Sequence, residues 1–265
     1  MSQIELVAID LDGTMLEPNG TILPELRDAL LQLNSRGVKV TTASGRELEV
    51  QLSFLERGGL GAKIGVPHAL IANEQEIYIL HDDQYIPLVE HNSRIDRAWS
   101  KVLPIAMDLL RETLKELREM GFRVELWTDE DRAIRKHIAG LIFKEEGEAR
   151  EAVYYLKRKI EEKKLNFKCN RLWCLVQVLL PFAGKGETLK VLAEHWSIEY
   201  SRVLCIGDGP HDIEMLDGRY GFIPATVSNA DREVIEAVKR AGGYISSLPH
   251  GRGVLDILRK FRLIR

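Results

Sequence analysis

The chain has 265 residues, 45% apolar and 29% charged, with a formal net charge of −3 at pH 7. That length and apolar content suffice for one large α/β domain or for a core carrying an inserted second unit. The near balance of charge excludes the basic excess of a nucleic-acid binder, and no apolar run reaches membrane-spanning length.

The first predicted element is a strand over 4–9, a short run of branched apolar residues bounded by an Asp/Gly cluster. A helix follows from Pro24, with Leu26, Leu30, Leu31 and Leu33 at near-helical spacing and Gly37 as its stop. A second strand covers 38–43. From about 83 to 182 the texture changes to longer charged helices and polar strands. Helices are predicted over 104–120 and 148–164, and strands over 123–127 and 167–180. The stretch 132–138 reads as strand, with helix as the rival. The short apolar pattern then resumes, with helices over 186–196, 231–241 and 253–261 and strands over 203–206 and 222–227. Alternating strand and helix give an α/β fold, a Rossmann-like doubly wound parallel sheet built from 1–82 and 183–265, with 83–182 inserted as an α+β unit.

Cys169, Cys174 and Cys205 are odd in number and irregular in spacing, as expected of reduced thiols, and no basic segment precedes an apolar stretch at the amino terminus. Both point to a soluble cytoplasmic protein. Trp99, Trp127, Trp173 and Trp196 read as packing anchors. Arg132, Arg135, Lys136, Lys168 and Arg171 read as solvated charges.

Four clusters carry chemistry, all at strand ends or helix starts, where open parallel sheets bind ligands. Asp10-Leu11-Asp12-Gly13-Thr14 follows the first strand. Two carboxylates so close can divide labour, one as nucleophile and metal ligand, the other as proton donor and then base. The plain alternative is an Asp/Gly turn. Ser44-Gly45-Arg46-Glu47 follows the second strand, and Ser44 with Glu47 has capping-box spacing. A helix start with a free hydroxyl also binds phosphate. Lys185 stands between Gly184 and Gly186 before a helix, where a cation could neutralise phosphate, with a solvated surface lysine as the plain alternative; Leu179 occupies the place of the first P-loop glycine, so a nucleotide P-loop is excluded. Gly207-Asp208-Gly209-Pro210-His211-Asp212 imitates a dinucleotide fingerprint, yet its two acids suit a hard cation rather than a pyrophosphate.

In order and position these clusters resemble the four motifs of the haloacid dehalogenase superfamily. The long gap between the second and third, with Val227-Ser228-Asn229-Ala230 and Gly253-Val254 in the tail, is similar to its Cof-type and sucrose-phosphatase-like branch. That branch carries an α/β cap domain in the gap. The resemblance implies Asp10 as nucleophile and Mg²⁺ ligand, Asp12 as general acid/base and backbone ligand, and Asp208 and Asp212 as further metal groups. It implies that Gly13, Thr14, Ser44, Gly45, Arg46 and Lys185 face the phosphate ester, and His211 is either a further contact to it or a surface-loop residue after Pro210. The expected function is Mg²⁺-dependent hydrolysis of small phosphorylated metabolites through an aspartyl-phosphate, by a monomer or homodimer. A phosphomutase and a non-catalytic binding protein on the same core are the alternatives. Two segments depart from the family pattern: His211 stands where Asn is usual, and Asn73-Glu74-Gln75 where Asn-Gly-Ala is usual.

Overall fold

The computed structural model describes residues 3–127, 137 and 139–265. They form two compact units, Met1–His91 with Lys185–Arg265, and Asn92–Gly184.

The strands of the first unit are β1 (Leu6–Ile9), β2 (Lys39–Ala43), β3 (Ala69–Ala72), β4 (Glu76–His81), β5 (Gln84–Pro87), β10 (Val203–Ile206), β11 (Ile223–Thr226) and β12 (Tyr244–Ile245). They form one sheet in the order β12-β11-β10-β1-β2-β3-β4-β5. Its pairs are parallel from β12 to β3 and antiparallel for β4 and β5. Alternate residues of β1 point to opposite faces, and both faces are covered. Val7 and Ile9 pack with Leu26 and Leu30 of α1 (Pro24–Ser35) and with Val254 and Leu258 of α8 (His250–Lys260). Leu6 and Ala8 pack with Leu189 of α5 (Lys185–His195), Met215 of α6 (Ile213–Leu216) and Val234 of α7 (Arg232–Arg240). Two-sided burial explains why these strands read as unbroken apolar runs.

The insertion expected from 83 begins later by packing. The β4–β5 hairpin extends the large sheet, with Ile79 opposite Ile86, and the Tyr85 hydroxyl donates to Pro67 O at 2.7 Å. Residues 83–91 therefore group with the first unit, and 183–184 with the second.

The second unit has an antiparallel sheet β6-β7-β9-β8, from β6 (Val124–Leu126), β7 (Ala139–Phe143), β8 (Lys168–Leu172) and β9 (Leu175–Leu179). The helices α3 (Val89–Glu119) and α4 (Glu146–Glu162) pack on it through Trp99, Leu110 and Leu117, and through Leu156 and Ile160. Helix α3 starts well before the expected 104, and Pro104 lies inside it. Ile95, Trp99 and Leu103 prolong the buried stripe, and that burial offsets the lost proline N–H. The single strand expected over 167–180 is the β8–β9 hairpin, which turns at Trp173 with a φ of 53°. Trp173 is 57% exposed and anchors nothing in a core. Arg171, expected in solvent, is buried and donates to Glu146 Oε1 at 2.8 Å and to Trp173 O at 3.3 Å. The stretch 132–138 lies outside the described residues except for His137, and with it Arg132, Arg135 and Lys136.

His68 joins β2 to its flank. Its Nδ1 accepts the Val40 N–H at 3.0 Å, and its Nε2 donates to Asn34 Oδ1 at 3.1 Å, a neutral imidazole with the proton on Nε2. Burial, and then Lys39, hold its pKa below the ordinary 6.5. A depressed folded pKa means that protonation favours the unfolded chain, so this stabilisation is complete above 6.5 and is lost as pH falls through the folded value. His68→Asn keeps an acceptor for Val40 but does not titrate. Urea unfolding between pH 7 and 5 is expected to show a shallower loss of stability in this variant, and parallel profiles would refute the assignment.

Candidate active site

Asp10 leaves β1 with its N–H still bonded to Ile206 O at 2.9 Å. The chain then makes one wide turn over Leu11–Met15, closed by Met15 N–H on Asp10 O at 3.1 Å and Leu16 N–H on Leu11 O at 2.9 Å. Gly13, with a φ of 79°, makes this turn feasible, since a Cβ there would lie 2.2 Å from Asp208 Oδ2. The turn brings Thr14 Oγ1 to Asp208 Oδ1, a donated bond of 2.6 Å.

Asp10 is 1% exposed and Lys185 is fully buried. Lys185 Nζ donates to Asp10 Oδ1 and to Asp212 Oδ1, both at 2.6 Å. Asp212 Oδ2 accepts the N–H groups of Asp208 at 3.0 Å and Gly209 at 2.9 Å. His211 is buried against Gly209, where a Cβ would come within 2.6 Å of its Nδ1. Asp10, His211 and Asp212 each offer a ligand atom within 4.8 Å of the others. Sequence reasoning left His211 between a contact to the phosphate ester and a surface-loop residue, and did not foresee its buried place beside two acids.

The second cluster differs from its expected form. Helix α2 (Leu48–Arg57) begins three residues after Gly45, its N-cap Glu47 makes no side-chain cap bond, and Ser44 forms no capping box. Ser44 Oγ instead accepts the Arg46 N–H at 3.1 Å, closing the loop around half-buried Gly45. Arg46 makes a two-point ion pair with Asp12, Nε to Oδ2 at 2.6 Å and Nη2 to Oδ1 at 2.8 Å. No sequence signal links residues so far apart. Asn73-Glu74-Gln75 is a buried turn stitched to this loop, Asn73 N–H to Arg46 O at 3.0 Å and Glu74 N–H to Ser44 O at 2.9 Å.

Crowded charge sets the electrostatics. Burial lifts the Asp10 carboxyl well above its usual range, and Asp212 adds to the lift. Burial and then Asp212 push Asp208 up to about 7. Burial also opposes ionisation of Asp212, but His211, Lys185 and the Gly209 N–H together leave its pKa lowered. Burial pulls Lys185 down, while Asp10, Asp212 and Glu74 outweigh it and raise its pKa. With Asp10 and Asp208 shifted upward, the two ionise together only if positive charge beyond Lys185 is supplied, and buried Asp10 Oδ2 has no hydrogen-bond partner among the described residues. Hard carboxylate oxygens around an unsatisfied buried oxygen fit a divalent cation.

The sequence model of haloacid dehalogenase-like hydrolases matches residues 7–257. The chain belongs to this hydrolase family. A phosphoglycolate phosphatase of Methanothermobacter thermautotrophicus is 38% identical over 81 residues, which is 31% of this chain and 34% of that protein. A putative phosphatase of Bacillus subtilis is 26% identical over 253 residues, 88% of this chain and 90% of its own. The structure of sucrose-phosphatase from Synechocystis sp. PCC6803, in complex with sucrose and phosphate, superposes with a TM-score of 0.71 at 18% identity, covering 98% of each chain. The likeness to the sucrose-phosphatase-like branch of the hydrolases thus holds at the level of fold.

Proposed function

We propose that this hydrolase is a Mg²⁺-dependent phosphatase of small phosphate monoesters, with Asp10 as nucleophile. The observation that carries the reading is Asp10 itself: Oδ1 is fixed by Lys185, while Oδ2 is buried with no hydrogen-bond partner among the described residues. A carboxylate so held is oriented and desolvated for attack. Asp10, Asp12 through its carbonyl, Asp208 and Asp212 would hold the metal, which supplies charge neutralisation for the phosphate. Attack by Oδ2 on phosphorus forms the aspartyl-phosphate and breaks the ester P–O bond. Asp12 gives the leaving oxygen its proton, then takes one from the water that attacks the phosphoenzyme, which returns Asp10 and releases inorganic phosphate. Because Asp12 is engaged twice by Arg46, its turn as acid requires that pair to open. Ser44 and Lys185 would bind the transferring group.

The named phosphatases among the relatives support a monoester as substrate. Among the described residues no helix is long and apolar enough to cross a membrane, and the three cysteines are free, in keeping with the expected cytoplasmic setting. The test is phosphate release from sugar phosphates, phosphoglycolate and p-nitrophenyl phosphate. Release is expected to need no bisphosphate activator, to stop with EDTA and to return with Mg²⁺. Metal-independent release would refute the mechanism, and strict dependence on a bisphosphate would indicate a mutase.

His211 provides a separate prediction. An imidazole titrates in the neutral range and an amide does not. His211→Asn is expected to retain Mg²⁺-dependent turnover while changing the pH profile of kcat/KM or the order of preferred esters. Superimposable profiles and preferences would remove His211 from the site.

A further inference from the structure

The Gly13 carbonyl, between Asp12 and Thr14, is held by two side chains from the far end of the sequence. Asn229 Nδ2 donates to it at 2.8 Å, and His250 Nδ1 lies 3.1 Å away. A carbonyl only accepts, so His250 carries its proton on Nδ1. Asn229 Oδ1 accepts the His250 backbone N–H at 2.8 Å, which fixes the orientation of the amide and ties the two donors together. A further tether joins the Gly251 N–H to Glu17 Oε1 at 3.2 Å. The same segment reaches the other acid-bearing turn, where Asp231 N–H donates to Asp208 O at 2.9 Å.

Stability alone accounts poorly for this arrangement. Asn229 is exposed, and exposed hydrogen bonds contribute little to folding. His250 keeps a φ of 48°, a left-handed backbone that non-glycine residues seldom adopt. Gly13 is by contrast the freest point of the turn that carries Asp12, and two donors on its carbonyl fix the peptide plane leading to Thr14.

We infer that Asn229 and His250 are positioning residues, a clamp on the Gly13 carbonyl that holds Asp12 and Thr14 in register with Asp10 and Asp208 for phosphoryl transfer. The inference rests on the phosphatase reading above. Three variants of the full chain test it. Asn229→Asp replaces the donor by an oxygen facing the carbonyl. His250→Ala removes the second donor. His250→Asn restores it, because the Asn amide nitrogen also branches from Cγ and Asn tolerates a left-handed backbone.

With p-nitrophenyl phosphate and Mg²⁺, the first two are expected to lose roughly 10- to 100-fold in kcat, with KM and melting temperature near wild type, as a small misplacement of a reacting group can cause. His250→Asn is expected to recover most of the loss. Amide hydrogen exchange over residues 11–16 is expected to rise in the first two and stay near wild type in the third. Unchanged kcat in Asn229→Asp and His250→Ala, or a His250→Asn no better than His250→Ala, would overturn the clamp. Should the wild type release no phosphate from any monoester, the phosphatase reading fails. Exchange then decides the clamp separately: faster exchange in the first two variants supports it, and unaltered exchange refutes it.

Discussion

Asp10→Asn is expected to abolish phosphate release, with a loss of at least about 10³-fold in kcat/KM, while the chain stays folded. The carboxylate is nearly inaccessible, and Lys185 already occupies Oδ1, so only Oδ2 is available to react. An amide has almost the same shape but no anionic oxygen, and its nitrogen cannot attack phosphorus. The Asn oxygen can still accept from Lys185, which keeps the fold. Circular dichroism and phosphate release on the same preparation decide the matter. A folded variant that turns over like the wild type would end the case for Asp10 as nucleophile.

Lys185→Met should damage stability as well as turnover. The ammonium is the shared partner of two buried carboxylates, and removing one member of such a network leaves uncompensated charge, at a cost of about 3–5 kcal/mol. Asp10 relieves part of that cost by holding a proton. A carboxyl whose folded pKa is raised binds protons more tightly folded than unfolded, so its contribution weakens as pH rises above the unfolded 3.8. The variant is therefore expected to be further from wild type at pH 8 than at pH 5 in urea unfolding with EDTA. Mg²⁺ should recover part of the deficit by binding the folded form. An EDTA-treated variant as stable as wild type at pH 8 would show that Lys185 balances no charge here.

The parts of the fold legible in the sequence were those where burial and punctuation agree. The strand Val203–Ile206 is an apolar run closed by Gly207, and α1 starts on a proline and is followed by Gly37, so both were found within a residue or two. The hairpin turn at Trp173 and Cys174 contains no glycine, asparagine or aspartate, and its left-handed tryptophan gives no warning. Pro104 resembled a helix start, whereas in the structure a buried stripe on both sides carries the helix through it. For the site, the strand-end clusters and their resemblance to the family motifs pointed to Asp10, Asp12, Lys185, Asp208 and Asp212, and the fold brings Asp10, Lys185 and Asp212 into direct contact. The Arg46–Asp12 pair and the two donors on Gly13 join segments distant in sequence through side chains that carry no periodicity. Only the fold reveals them.

The placement of β1 in the middle of the large sheet also governs when the site can exist. Leu6 is paired on one side with Lys39 and on the other with Val203. During synthesis β2 emerges soon after β1, but the opposite edge keeps its peptide groups unpaired until the chain has grown past Ile206. Asn92–Gly184 is continuous, and its strand pairs close within it, so it can fold while the first unit is still incomplete. Asp10 precedes Lys185 and Asp212 by most of the chain and meets them only once both have been translated. A chain that ends before Lys185 therefore carries the Asp10 carboxyl without its counter-charge, and the group of Asp10, Lys185 and Asp212 forms only when both ends of the first unit are present.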